Sequence, residues 1–204
     1  MVKLAVRSIV SPQFMDARDF PIRTSGLNVF EVPLGGIVRV QGCTDDDAFR
    51  ASVATSLGAD LPSAERMSCS AESRIAWAGP NEYLCFCELE AEERLVFALT
   101  SALAGQFATV TLVSDSRIGF SFTGNDAPAL IVKGCAIDMH PAEFTVGRVV
   151  TTRFAGLPAM LMKPVADQYV VYFDIAYVEF VLKWIQDAAR EFLEPAPGDS
   201  WTVR

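Results

Sequence analysis

The chain has 204 residues and a formal net charge of −8, with 17 Lys and Arg against 25 Asp and Glu. No basic run is long enough to track phosphates, which makes nucleic acid and anionic membrane poor partners. Hydrophobic residues make up 51% and charged residues 21%, with a mean hydropathy of +0.28, more apolar than a soluble monomer of this size requires, so a partner is expected to cover part of the surface.

Residues 1–30 read as an N-terminal arm, and 11–31 as irregular. The first stretch, MVKLAVRSIVSPQFM, has Lys3 and Arg7 interrupting its apolar residues and no small-residue cleavage site, so it is not expected to be a secretory leader and a cytoplasmic location follows. Residues 31–110 form the first half of the folded body. There GGIVRVQGCTDDDAFRASVATSLGADLP gives a strand ending at Gly42, a helix opened by the cluster from Thr44 to Asp47, and a stop at Gly58. Asp45, Asp46 and Asp47 sit where carboxylates complement the helix dipole and cap free N–H groups. A calcium loop would need oxygen ligands at alternating positions, and AFRASV supplies none. RIAWAGPNEYLCFCEL then reads as strand, turn and strand around Gly79-Pro80-Asn81, followed by a helix in EAEERLVFALTSAL.

Residues 111–193 repeat the order. RIGFSFTGNDAPALIVKGCAIDMHP gives a strand ending at Gly124, a helix opened by Asn125 and Asp126, and a stop at Gly134, where a left-handed backbone is expected. LPAMLMKPVADQYVVYFDI turns at residues 163–167, and AYVEFVLKWIQDAAREF is helical. The greasy stretch over residues 170–185 carries Asp174, Glu179 and Lys183 and is too short to span a bilayer. Gly42 and Gly124 lie 82 positions apart, and Tyr83 and Tyr169 lie 86 apart. These near-equal spacings predict an α+β fold of two duplicated β-α-β-β-α halves with pseudo-two-fold symmetry and antiparallel sheets covered by helices. Residues 194–204 read as an extended C-terminal tail.

Chemistry-bearing residues are few. Cys43, Cys69, Cys85, Cys87 and Cys135 form an odd set without paired CxxC spacing and read as reduced core thiols, with Cys85 and Cys87 on one face of their strand. KGCAIDMHPAEF, residues 133–144, groups Cys135, Asp138 and the chain's single histidine, His140. Its counterpart in the first half, LGADLPSAER, has neither histidine nor cysteine, so the cluster reads as a turn between helix and strand, and a metal site would need further ligands from elsewhere. A Ser116, His140 and aspartate triad lacks the GxSxG elbow that usually presents the serine. Gly35-Gly36 is no phosphate-cradling motif.

The residues do carry a family resemblance. Ser114-Asp115-Ser116, Gly124-Asn125-Asp126-Ala127, K-G-C-x-I-D-x-H-P at 133–141, Phe144 with Gly147, Thr152-Arg153, and WAGPNEYLCF at 77–86 together resemble the gamma subunit of heterotetrameric sarcosine oxidase. Tyr83 replaces a family tryptophan, and residues 173–177 replace its Pro-Arg-Ser-like turn. The resemblance implies the folate-binding fold of the aminomethyltransferase superfamily and a non-catalytic subunit packed against the alpha (large) subunit, with beta and delta subunits in the complex. It also implies that FAD, FMN, NAD, tetrahydrofolate and zinc belong to the partner subunits, none being bound by this chain, and that no catalytic, cofactor-binding or metal residue is assigned here. The complex would oxidise sarcosine to glycine and pass the one-carbon unit to tetrahydrofolate. The alternatives are the equivalent subunit of a related N-methyl amino acid dehydrogenase, or a stand-alone folate-dependent aminomethyltransferase or folate-binding protein. A stand-alone enzyme would need a carboxylate on the pterin or amine, for which Asp115, Asp138 and Glu82 are the candidates.

Overall fold

The computed structural model describes residues 8–193 apart from 12–14 and 72, so the expected tail at 194–204 lies outside the described residues. After a short hairpin of β1 (Ile22–Arg23) and β2 (Asn28–Glu31), the first half runs β3 (Gly36–Gly42), α1 (Asp47–Leu57), β4 (Met67–Cys69), β5 (Ser73–Gly79), β6 (Glu82–Cys87) and α2 (Glu92–Ala102). Strand β7 (Ala108–Leu112) leads into the second half, β8 (Arg117–Thr123), α3 (Ala127–Gly134), β9 (Val149–Phe154), β10 (Leu157–Val165), β11 (Gln168–Asp174) and α4 (Val178–Ala189).

The strands form two antiparallel sheets, ordered β4-β5-β6-β3-β7 and β1-β2-β8-β11-β10-β9. Laid against each other, β3, β4, β5 and β6 correspond to β8, β9, β10 and β11, so each half is β-α-β-β-β-α, one strand more than the expected unit. The additional strand, β4 or β9, is an edge strand whose residues show no alternation to read. The segment expected to be irregular over 11–31 contains β1 and β2, and β2 pairs with β8 of the second half: Val29 lies opposite Phe122 and Phe30 opposite Ser121. In return β7, which precedes β8 in the chain, pairs with β3 of the first half, Val40 opposite Val110. Each half therefore lends its leading strand to the other sheet.

Both faces of each sheet are covered, which is why β6, β8, β10 and β11 read as nearly unbroken apolar runs. Val38, Val40, Ile75, Tyr83 and Cys85 bury against α1 and α2, contributed through Phe49, Val53, Leu57 and Leu99. In the second half Phe120, Phe122, Val171 and Phe173 meet Leu130 and Ile131 of α3 and Val181, Leu182 and Ile185 of α4, at the spacing of one helical face. The intervening residues, Ile37, Leu84 and Phe86 with Met160, Met162, Val170 and Tyr172, form a third cluster between the sheets. The layers are thus helix, sheet, sheet, helix. The sheets are tied where Met67 N–H donates to Gly147 O at 2.9 Å and Val149 N–H donates to Glu65 O at 3.0 Å, a reciprocal pair about the Arg66 and Arg148 bridge.

The helix ends follow the sequence in one half and depart from it in the other. Asp46 accepts the Ala48 N–H at 2.9 Å, and α1 stops at Gly58 in the left-handed region, φ 65°. At the end of α3 the residue beyond Gly134, Cys135, is extended, and Gly134 is not among the glycines with positive φ. Its lack of a side chain serves packing instead: a Cβ there would sit 2.5 Å from the Phe154 ring.

Candidate functional site

Between the sheets, where β3 and β8 begin, the structure holds a cavity of 390 Å3 lined among others by Glu31, Arg74, Cys87, Glu88, Arg117 and Tyr172. Two sequence features open it. Gly119 leaves room for the Tyr172 ring, which a Cβ would meet at 2.7 Å, and that ring packs on Phe86 with centroids 5.1 Å apart. Ser114, at 5% exposure, accepts the Ile37 N–H at 2.9 Å and donates to Glu92 Oε2 at 2.7 Å, which pins the β7–β8 connection to the start of β3. Arg117 Nε is buried with no hydrogen-bond partner among the described residues.

The electrostatics of this cavity do not activate a nucleophile. Burial pushes the Cys87 thiol up, and the Glu92 and Glu88 carboxylates push it the same way, so it stays protonated at neutral pH, the reverse of what thiolate chemistry requires. Burial also raises the Tyr172 hydroxyl, with Arg74 opposing, and raises Glu31, with the hydrogen bond from Ser8 opposing. Cys85, buried against the helices, is pushed up to about 12 by burial, with a further contribution from Cys87. Of the thiols expected in the core, Cys85 and Cys135 are buried and Cys87 is half-buried, while Cys43, just past the end of β3, and Cys69, at the end of the edge strand β4, are exposed. The arrangement can hold a small polar molecule between arginines and carboxylates, and its thiol, Cys87, is held in the protonated form.

The cluster at 133–144 separates on folding. Cys135 is buried in the second-half core and its Sγ donates to Ile131 O at 3.6 Å, while His140 is exposed. Asp138 Oδ1 accepts the His140 N–H at 2.8 Å, and His140 Nδ1 accepts the Ala142 N–H at 3.2 Å. Asp138 and His140 thus close the turn with their own side chains. Ser116 Oγ donates to Val113 O at 2.8 Å, not to an imidazole. Of the candidate carboxylates, Glu82 accepts from Gln41 Nε2 at 2.8 Å, Asp138 is used in the turn, and Asp115 is exposed. None of the three lines the cavity. Its charged residues, Glu31, Arg74, Glu88 and Arg117, were not singled out by the sequence because they come from four separate strands or strand ends with no motif linking them. Among the described residues no group of three or more His, Cys, Asp and Glu side chains is placed to hold a metal ion.

Large apolar side chains stand in solvent elsewhere: Phe107 is 98% exposed and Phe97 75%, with Phe180 and Tyr177 also exposed at the start of α4. No helix among the described residues is long and apolar enough to cross a membrane.

Two exchanged antiparallel sheets with helices outside define the class of fold. It is shared by the glycine cleavage system aminomethyltransferase T from Bartonella henselae, at TM-score 0.62 and 10% identity over 81% of this chain and 46% of that one, which makes the protein an aminomethyltransferase-like α+β domain in fold. A chain of the heterotetrameric sarcosine oxidase from Corynebacterium sp. U-96, in complex with pyrrole 2-carboxylate, superposes more closely, at TM-score 0.76 and 25% identity over 83% of this chain and 88% of that one. The family model for the sarcosine oxidase gamma subunit matches residues 41–191, and the chain belongs to that family. Relatives of the same description are the sarcosine oxidase subunit gamma of Corynebacterium sp. strain U-96, 30% identical over 77% of this chain and 75% of that protein, and that of an Arthrobacter species, 29% identical over 72% and 73%.

Proposed function

We propose that this chain is the gamma subunit of a heterotetrameric sarcosine oxidase and works by packing against the large, alpha subunit, with beta and delta subunits completing the assembly. The observation that carries the reading is the gamma-subunit family match across residues 41–191, supported by a superposition on a sarcosine oxidase chain that spans most of both proteins. In this reading the complex demethylates sarcosine oxidatively in the cytoplasm and passes the one-carbon unit to tetrahydrofolate. FAD, FMN, NAD, tetrahydrofolate and zinc are held by the partner subunits. The chain's own chemistry is in keeping with a structural role, since Cys87 is held protonated beside two carboxylates and the single imidazole is occupied within its turn. A stand-alone aminomethyltransferase is the less economical reading, because the chain matches only 46% of that enzyme and at 10% identity. Co-expression with the other subunits and purification through a tag on this chain tests the proposal: recovery of the flavoprotein subunits with sarcosine-dependent peroxide production supports it, and recovery of the tagged chain alone overturns it.

A further inference from the structure

The two sheets are built alike except at one edge. Strand β2, beside β8, carries β1 on its outer side, with Ile22 opposite Val29. Its counterpart β7, beside β3, is the end strand of its sheet among the described residues. The register makes the comparison residue by residue. Val29 pairs with Phe122 and Val110 with Val40, while Val32 N–H donates to Gly119 O and Val113 N–H donates to Ile37 O, both at 2.8 Å. Backbone groups alternate sides along an antiparallel strand, so the N–H and C=O of Val110 and Leu112 point away from β3, as those of Val29 point towards β1. With its outer neighbour in place Val29 is fully buried; Val110 is only half-buried, and Thr109, Thr111 and Leu112 are exposed.

Natural sheets protect their ends with short strands, charges or proline. The other ends here follow that rule: β1 has two residues including Arg23, β4 has three, and β9 carries Arg153. Residues 104–114, AGQFATVTLVS, hold no charge and no proline. The segment also presents Phe107 at 98% exposure, beside a concavity of 650 Å3 lined by Gln41, Gly42, Cys43, Asn81 and residues 106–109.

From this we infer that β7 is an acceptor edge, completed by an extended segment of a different subunit that adds a strand as β1 does in the sister sheet, with an apolar residue opposite Val110 and a side chain seated in the concavity by Phe107. The inference rests on the subunit reading, which supplies a partner of different sequence in place of a second copy of this chain.

The test uses the full chain, alone and in the co-expressed complex. Leu112→Pro removes an outward N–H that β3 does not use, a change that edge strands accept, and Thr111→Lys places a charge on the edge; Thr111→Lys is expected to melt within a few degrees of the wild type, as exposed substitutions away from caps and cores do. Each should weaken capture of the other subunits by on the order of 10-fold or more. Hydrogen exchange over residues 105–113 should show the Val110 and Leu112 amides open in the isolated chain and slowed on the order of 100-fold in the complex. Unchanged capture by both variants, or amides that stay open in the complex, overturns the inference while leaving the subunit reading standing. An isolated chain that dimerises with these amides already protected assigns the edge to a second copy and also overturns it. Failure of the wild type to capture any subunit refutes the subunit reading itself and is seen before any variant is made.

Discussion

Replacing Gly124 by alanine should destabilise the protein more than the same change at any other corner of the fold. Gly124 combines two demands. Its φ is +99°, and a Cβ there would lie 2.3 Å from Gly26 O and 2.8 Å from Gly26 C. The backbone conformation alone costs an L-residue about 1–3 kcal/mol. The steric contact forces the loop before β2 away from the β8–α3 corner, where Asp126 N–H donates to Gly26 O at 2.9 Å, and losing that bond costs about 1 kcal/mol. Together these give roughly 2–4 kcal/mol, or about 4–16 °C in melting temperature for a domain of this size. Three further glycines calibrate the result. Gly79 has no positive φ, and a Cβ added to it would meet nothing within 4 Å, so its alanine variant should melt like the wild type. Gly58 has φ +65° and open space, which leaves a backbone cost of about 1 kcal/mol. Gly134 has only the steric term, a Cβ 2.5 Å from the Phe154 ring, itself packed on Trp184 at 5.0 Å, for about 1–3 kcal/mol of overpacking. Thermal melts of the four variants, followed by circular dichroism, should rank Gly79, Gly58 and Gly124 in increasing loss. A Gly124 variant that melts no lower than the Gly58 variant would refute the claim that the first hairpin is anchored to the second half at this corner.

His140→Ala should remove only the acceptor for the Ala142 N–H, costing about 1 kcal/mol or less for an exposed bond and leaving activity of the assembled complex within about twofold; a steady-state assay that shows a much larger loss with assembly intact would make the cluster functional. Glu31 is raised by burial, so the fold favours its protonated form. That contribution is full below the ordinary value of 4.5 and is lost as pH rises through the higher folded-state value. Glu31→Gln should therefore raise the melting temperature at neutral pH, with the gain closing as pH falls towards about 4; a gain that grows on acidification would contradict the sign.

The repeat was legible because both halves use the same chemical punctuation. A strand ends at Gly42 or Gly124, an acidic residue precedes each following helix, and a tyrosine follows each hairpin turn, and these are local features that a one-dimensional reading can find. Tyr83 and Tyr169 indeed bury in the two equivalent sheet-helix cores. The strand exchange was not legible, since β2 and β7 are four and five residues long and each pairs with a strand of the other half, a choice made by tertiary register. Gly134 was found at the right place for a different reason, because only the fold reveals that the Phe154 ring lies over it. The cavity was invisible for a similar cause: Glu31, Arg74 and Arg117 are far apart in the chain and meet only when the sheets stack. The turn at 133–144 was read from its place in the repeat, and Asp138 and His140 close it through backbone N–H groups.

Purifying this chain from its native cells through a tag, and identifying what comes with it, decides whether it functions as a subunit of a larger oxidase. The sarcosine oxidase alpha, beta and delta chains should co-purify in equal amounts with it, with sarcosine-dependent peroxide production present in that complex and absent from the isolated chain. A chain recovered without flavoprotein partners, or one that produces peroxide from sarcosine by itself, would contradict the subunit reading.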